Sequence, residues 1–414
     1  MKIIVFEDDK FDLLFPLSMM RAAYDVKPGA LSILEKTAVS LGKEAKQVSL
    51  HCRKSLEEFM RSDGRAVNVF DEDDYLLLNG RFIFGKKFLK ELKKTKADDK
   101  FFVKGDTVVY ATISRKKSSA LNEITSNTEG IIDEDFLLQA GLQKEETGDI
   151  VISEIRYPWD AVSFLLEWGL DDDLNSLSLK HKQKKNRAYI NSSAVEISTK
   201  AKLAASVAID ASSGKVIIED GVVIEPFVFI KGPVYIGKNS LVKSGAKIYG
   251  PCVIGDGSKV AGEIAESVFH SHVNKQHDGF VGHSYICPFV NLGADTVTSD
   301  LKNNYSNIRQ NFRGGNIDTG MRFLGSILGD HTKTSINTML NTGTVAGIFS
   351  NIFGGGFPAK SIRSFSWNEA GKTSEKYDFE KAIETAKIVM SRRGIETSEE
   401  YIKLARKYFD NDSE

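Results

Sequence analysis

Cysteine is scarce: Cys52, Cys252 and Cys287 are the only three in 414 residues, widely separated and without metal-ligand spacing. An odd number cannot be fully paired within one chain, so a reducing, cytoplasmic setting is expected rather than a disulfide framework. Neither sign of charge is in excess, with 55 Lys and Arg against 56 Asp and Glu. That balance argues against nucleic acid or an anionic membrane as the main partner and favours a small molecule. Long apolar runs are missing too. The opening MKIIVFEDD meets acid after four apolar residues, far short of a membrane span or a signal-peptide core, so no targeting segment is expected.

What is present is length enough for two or three domains. Up to about Ile155, short apolar runs (KIIVF, DYLLLNG, KFFVKGDTVVYATI) alternate with helix-like stretches such as GALSILEKTAVSLGKEA and KKFLKELKKT, a texture that predicts an α/β domain over 1–155. In YPWDAVSFLLEWGL, Trp159, Val162, Leu166 and Leu170 fall on one helical face, and the basic run HKQKKNR follows. This reads as a connecting helix and solvated linker over 156–187.

Beyond the linker the chain repeats with a period of six: Ile218, Ile224, Ile230, Ile236, Val242, Ile248, Ile254 and Val260 stand at that interval without a break. Four positions after each of the first seven comes a compact residue: Val222, Val228, Val234, Ser240, Ala246, Cys252 and Ser258. A strand alone gives period two and a helix 3.6, so six requires short strands separated by regular corners. Three strands close a triangular coil of roughly 18 residues, aliphatic side chains stacking inside it from coil to coil. The expected solenoid domain spans 188–368.

After Val260 the register fails over GEIAESVFHSHVNKQHDGFVGHS and again over SDLKNNYSNIRQNFRGGNIDTG. Such interruptions are expected to project outside the stack, where a loop on a rigid scaffold presents functional side chains. His270, His272, His277 and His283 crowd the first of them. A zinc site is disfavoured, since no cysteine pair or H-E-x-x-H helix accompanies them, and one positioned imidazole acting as general base is the better reading. The other three are expected to be loop or wall residues. His331, beside Asp330, is a rival base. Arg392 and Arg393 are read either as donors to a phosphate or as ordinary complements to a helix C-terminus. Two helical patterns, YDFEKAIETAKIVMSRRGI and SEEYIKLARKYF, form a tail over 369–414 expected to cover the end of the stack.

The hexapeptide pattern resembles the hexapeptide-repeat acyltransferases, a resemblance that implies a left-handed parallel β-helix. Within it, His277 followed five residues later by Gly282, the NLGA string at Asn291–Ala294, and Asn304-Tyr305 are similar to the acetyltransferase half of the bifunctional N-acetylglucosamine-1-phosphate uridyltransferase/glucosamine-1-phosphate N-acetyltransferase family. The strings KQHDGFVG, NLGADT, LKNNYS, GDHTKTSINTMLNTGT, NIFGGGFP and SFSW bring the chain closer still to a divergent branch of that family, over about Ile190 to Trp367. The resemblance implies that His277 is the catalytic base for the sugar amine, that Asn304, Tyr305 and Ser326 line an acetyl-coenzyme A site, and that Lys275 meets a sugar phosphate. It also implies a homotrimer with acyl sites between neighbouring helices.

For the first domain the resemblance implies a sugar-nucleotidyltransferase fold acting on a nucleoside triphosphate and a sugar 1-phosphate with Mg2+. The family's opening glycine-rich loop is missing, since no glycine precedes Gly29, and its metal-binding aspartate has its counterpart in LLLNGR, at Asn79, Gly80 and Arg81. The divergent branch's FEDD, PLSMMR, GALSILEK and KGDT are kept. Arg21, Lys27 and Lys36 are the candidate phosphate contacts, and Asp8, Asp9 and Asp106 the candidate metal ligands. For any single one of these six, an ordinary surface charge is the favoured reading. The expected function is acetyl-coenzyme A-dependent N-acetylation of a hexosamine 1-phosphate coupled to nucleotidyl transfer; the alternative is a nucleotidyltransferase whose β-helix is only a trimerisation or binding scaffold.

Overall fold

The computed structural model describes residues 1–122, 129–148, 150, 152–184, 188–312 and 315–411. Lys185, Asn186 and Arg187 of the HKQKKNR run, and Arg313 and Gly314 of the second interruption, lie outside them. The chain divides into two compact units, one of residues 1–26, 31–157 and 398–405, the other of residues 27–30, 158–397 and 406–414.

In the first unit the apolar KIIVF run is strand β1 (Lys2–Phe6), paired in parallel with β2 (Val48–Leu50) on one side and β3 (Tyr75–Asn79) on the other. Its side chains enter two separate apolar clusters, Ile4 and Phe6 in one and Ile3 in the other. A strand covered on both faces needs apolar residues at successive positions, which is why the sequence shows a run rather than an alternation. Strands β5 (Lys100–Lys104), β6 (Thr107–Ile113) and β7 (Gln143–Glu146) complete a mixed six-stranded sheet ordered β2-β1-β3-β6-β5-β7. β4 (Phe82–Ile83) pairs apart from it with β8 (Ser153–Glu154). The helix Ile33–Leu41 begins at a capping box, Ser32 and Glu35 each satisfying the other's backbone N–H.

The second unit opens with the connecting helix. Trp159, Val162 and Leu170 are buried as their spacing requires, but Leu165 is buried and Leu166 is not. A π turn over Leu165–Gly169 explains the slip: its i→i+5 bonds insert a residue and rotate the apolar face.

The solenoid is a parallel β-stack of about ten turns. On one face Ile218 pairs with Ile236 and Ile236 with Ile254; on another Ile230 pairs with Ile248, each eighteen residues from its partner. All eight aliphatic residues of the period point into one continuous core. The compact partners are buried as well, and the two serines among them bond to the next coil: Ser240 donates to the Gly255 carbonyl at 3.0 Å, and Ser258 accepts from the Val273 N–H at 3.2 Å. Among the described residues, no helix is long and apolar enough to cross a membrane.

The first interruption does not leave the stack. Lys259 and Val260 pair with Asn274 and Lys275, and Glu263 to Ala265 pair with Phe280 to Gly282, so GEIAES and KQHDGFVG form ordinary strands and corners of a shortened coil. Only the second interruption is a true insertion. It separates Tyr285 from its next partner Ile327, and it carries an antiparallel hairpin of Arg309–Phe312 with Gly315–Asp318. The helices Phe379–Ser391 and Glu399–Asp410 close the chain, with Phe379 and Phe409 both meeting the ring of Phe365 on the last coil.

Candidate functional site

His277 occupies the corner between strands Asn274–Lys275 and Phe280–Gly282. The residue is exposed, and its ring takes no side-chain partner among the described residues. The backbone beneath it is tightly fixed. Gly279 has φ of 111°, and a Cβ there would stand 2.2 Å from the Thr296 carbonyl on the coil above. Only glycine fits that approach. An imidazole that is solvent-accessible on a closely packed backbone is available to accept a proton from a bound amine.

Lys275 is not at the surface to meet a sugar phosphate, as its sequence context suggests. It takes an inward position of the stack, in register between Val260 and Leu292, and is 1% exposed. Its Nζ donates to the carbonyls of Ala261 (2.9 Å), His277 (2.9 Å) and Asp278 (3.4 Å), which uses all three of its hydrogens. Burial lowers its pKa to about 8, against the pull of Asp278 and Asp295.

His272, His331 and His283 have structural partners. His272, Phe289, His331, Phe349 and Phe365 stack ring on ring up one corner of the prism, with centroids 4.7–5.3 Å apart. All five have positive φ. The rival base His331 is thus fully buried between two phenyl rings. His283 lies between two carboxylates, its Nε2 2.6 Å from Glu266 and its Nδ1 2.8 Å from Asp300. Burial alone would lower its pKa, but the hydrogen bonds to Asp300 and Glu266 outweigh that and raise it to about 9.

Asp300 stands at the root of the insertion that carries Asn304 and Tyr305. Both are exposed: Tyr305 has φ of 57° and is 64% accessible, while the Asn304 side chain accepts from the N–H (3.1 Å) and hydroxyl (2.9 Å) of Ser306. The insertion root faces His283 at one end of strand Phe280–Gly282, whereas His277 sits beyond the other end. Ser326, by contrast, is fully buried, and its hydroxyl has no hydrogen-bond partner among the described residues.

In the first unit two of the three candidate metal ligands, Asp8 and Asp106, are paired with guanidinium groups. Asp8 follows β1, and its two oxygens receive Nε (2.8 Å) and Nη2 (2.6 Å) of Arg81 together with the Asn79 amide (2.8 Å). Arg81 also reaches Glu154 at 2.8 Å, and both Arg81 and Asp8 are buried. Asp106 is gripped by both Nη atoms of Arg156 at 2.8 Å, which holds its carboxyl well below the usual range. Asp9 has Lys10 at 3.8 Å, and burial, with Asp8 beside it, raises its pKa. Among the described residues, no group of three His, Cys, Asp or Glu side chains is arranged to hold a metal ion. The three aspartates therefore do not fit a divalent cation; guanidinium groups already neutralise two of them. Gly80 is required for packing, since a Cβ there would lie 2.8 Å from Tyr24.

Arg21 donates to the Leu17 carbonyl, Lys36 is buried in the helix Ile33–Leu41, and Lys27 clusters with the second unit, its N–H donated to the Tyr285 hydroxyl at 3.1 Å. Sequence reading missed the pair that organises this region. Glu7, fully buried, accepts from the Ala23 N–H, the Arg53 N–H and Arg53 Nη1, while Arg53 Nη2 donates to the carbonyls of Ser18 and Met19. That ion pair ties down the PLSMMR loop. Its one sequence signal is an acid within an otherwise apolar strand end.

Comparison with known proteins agrees with this architecture. Residues 3–182 match the sugar nucleotidyl transferase family model, and residues 215–249 match the bacterial transferase hexapeptide model of six repeats. A bifunctional sugar-1-phosphate nucleotidylyltransferase/acetyltransferase of Sulfurisphaera tokodaii is 30% identical over 152 residues, 32% of this chain and 38% of that protein. The bifunctional protein GlmU of Methanococcus vannielii is 27% identical over 141 residues, covering 33% of each chain. The matched stretch thus spans little more than a third of these relatives. A putative acetyltransferase structure from Bacillus cereus aligns at a TM-score of 0.26 and 15% identity, covering 51% of this chain and 92% of that one, and carries no argument. The chain is thus similar to sugar nucleotidyl transferases over residues 3–182 and to bacterial transferase hexapeptide repeats over residues 215–249.

Proposed function

We propose that this protein is a cytoplasmic enzyme of sugar-nucleotide biosynthesis. Its solenoid transfers an acetyl group from acetyl-coenzyme A to the amine of a hexosamine 1-phosphate, and its first unit joins a sugar 1-phosphate to a nucleoside triphosphate. The observation that carries the first half is the His277 corner: an exposed imidazole with no side-chain partner among the described residues, on a backbone closely packed from below and above. The amine nitrogen attacks the thioester carbonyl while His277 takes its proton; the N–C bond forms, the C–S bond breaks, and the coenzyme A thiolate leaves and is protonated. Asn304 and Tyr305, displayed on an exposed insertion, are the proposed contacts of acetyl-coenzyme A.

These two parts of the site stand at different corners of one solenoid. A homotrimer, in which one copy's His277 corner faces the insertion of its neighbour, would unite them. Exposed apolar side chains on the solenoid, Phe227 and Ile336 among them, supply area for such an association. Nucleotidyl transfer has the weaker support. The family match over residues 3–182 favours it, but Mg2+ is not assigned to Asp8, Asp9 or Asp106, and no step is derived through a metal.

The test is to incubate the purified protein with acetyl-coenzyme A and glucosamine 1-phosphate while following free thiol, then to add uridine or thymidine triphosphate and follow pyrophosphate. Thiol release supports the acetyl half; its absence across a panel of hexosamine 1-phosphates refutes it. Light scattering checks the trimer.

A further inference from the structure

Among the described residues, Lys275 is the one ammonium group placed at an aliphatic position of the repeat, where Val260 precedes it and Leu292 follows it in register. A charge there costs stability, because a buried ammonium gives up its hydration and no carboxylate among the described residues touches it. Its compensation is entirely backbone: the carbonyls of Ala261, His277 and Asp278 converge on one nitrogen. Two of the three belong to the His277 corner. Gly262 completes the arrangement, since a Cβ there would stand 2.9 Å from Nζ and 2.8 Å from the Gly279 carbonyl.

We infer that Lys275 is a positioning residue for His277, its ammonium group gathering the carbonyls of the corner so that the imidazole is held at one height and orientation above the coil. The inference rests on the proposed role of His277 as base. An aliphatic side chain would fill the same space without ordering the corner, and a lysine reaching solvent would order nothing. The neighbouring charges do not compete for this role. Asp278 lies on the same corner and Asp295 on the one above, and both favour the charged form of Lys275; Glu263, beyond the corner below, lies 3.6 Å from Lys247. Geometric misplacement of a base by even an ångström is enough to slow a reaction about a hundredfold.

The experiment compares wild type with Lys275→Met and Lys275→Arg by amide hydrogen exchange and by acetyl-transfer kinetics. Lys275→Met is expected to raise exchange at residues 276–280 by roughly tenfold or more, leaving the coils over 216–254 unchanged. In the same variant kcat should fall about 30-fold or more while KM for the sugar phosphate stays within about threefold. Lys275→Arg, which keeps the charge on a wider, planar group, should recover part of both effects. Unchanged exchange at 276–280 in Lys275→Met overturns the inference, as does a rise in KM with kcat preserved, which would make Lys275 a phosphate ligand. If Lys275→Met does not fold, Lys275→Arg decides by the same two readouts, wild-type exchange and kcat counting against the inference. Absence of acetyl transfer in wild type would remove the proposed function, and the exchange comparison would still decide whether Lys275 holds the corner.

Discussion

Replacing Arg81 with methionine should cost the first unit about 3–5 kcal/mol, because it leaves a buried carboxylate without its counter-ion. The figure follows from the geometry. Arg81 and Asp8 are both inaccessible and are joined by two hydrogen bonds of 2.8 and 2.6 Å. At an effective dielectric of about 20, charges some 4 Å apart attract by about 4 kcal/mol, and the charge-assisted hydrogen bonds fall within that scale. With the guanidinium gone, Asp8 keeps the Asn79 amide as its side-chain donor, and Glu154 loses its 2.8 Å partner. For a unit of this size each kcal/mol moves the melting midpoint by about 2–4 °C, so calorimetry should register a fall of about 6–20 °C. The double variant Asp8→Asn with Arg81→Met removes both charges and should recover at least half of the loss. A single variant melting within about 2 °C of wild type, or a double variant no better than the worse single, would refute the reasoning and reopen Asp8 as a metal ligand.

Three further outcomes are expected. Ile248→Ala, in register between Ile230 and Ile264 and fully buried, should destabilise the solenoid by about 2–5 kcal/mol in denaturant titration. His283 has a folded-state pKa raised from 6.5 to about 9, so its contribution of up to about 3 kcal/mol is fully present below pH 6.5 and lost as pH rises through about 9. His283→Gln should flatten the melting-temperature profile across that window, and a profile as steep as wild type would count against the Glu266–His283–Asp300 bridge. Mixing His277→Ala with Tyr305→Ala protein through denaturation and refolding should restore acetyl transfer that neither variant has alone; failure of mixed trimers to recover activity would contradict a site shared between copies.

The solenoid was legible because its period is a direct imprint of geometry: an inward residue recurs every six positions while coils keep eighteen residues. Where that length changes, the pattern vanishes but the stacking does not. Val253 pairs with Val268, fifteen residues on, and Val268 with Tyr285, seventeen on, so the coil bearing His277 continues the wall while its spacing no longer shows it. Lys275 hides the register further by placing a charge at an inward position, a choice justified only by the three carbonyls the fold assembles around it. The ring ladder from His272 to Phe365 was equally hidden, since positive φ at histidine and phenylalanine is exceptional and only the repeated corner imposes it. In the first unit, Asp8 and Arg81 are 73 residues apart in sequence, and only the adjacency of β1 and β3 reveals that the LLLNGR arginine answers the FEDD aspartate.

The central claim is that His277 is the base of an acetyl transfer, and the most direct measurement is kcat for thiol release from acetyl-coenzyme A with glucosamine 1-phosphate, wild type against His277→Ala, with both proteins shown by calorimetry to melt alike. Loss of a general base predicts a fall of about 10²–10⁴-fold in kcat. Equal turnover by the two proteins would contradict it.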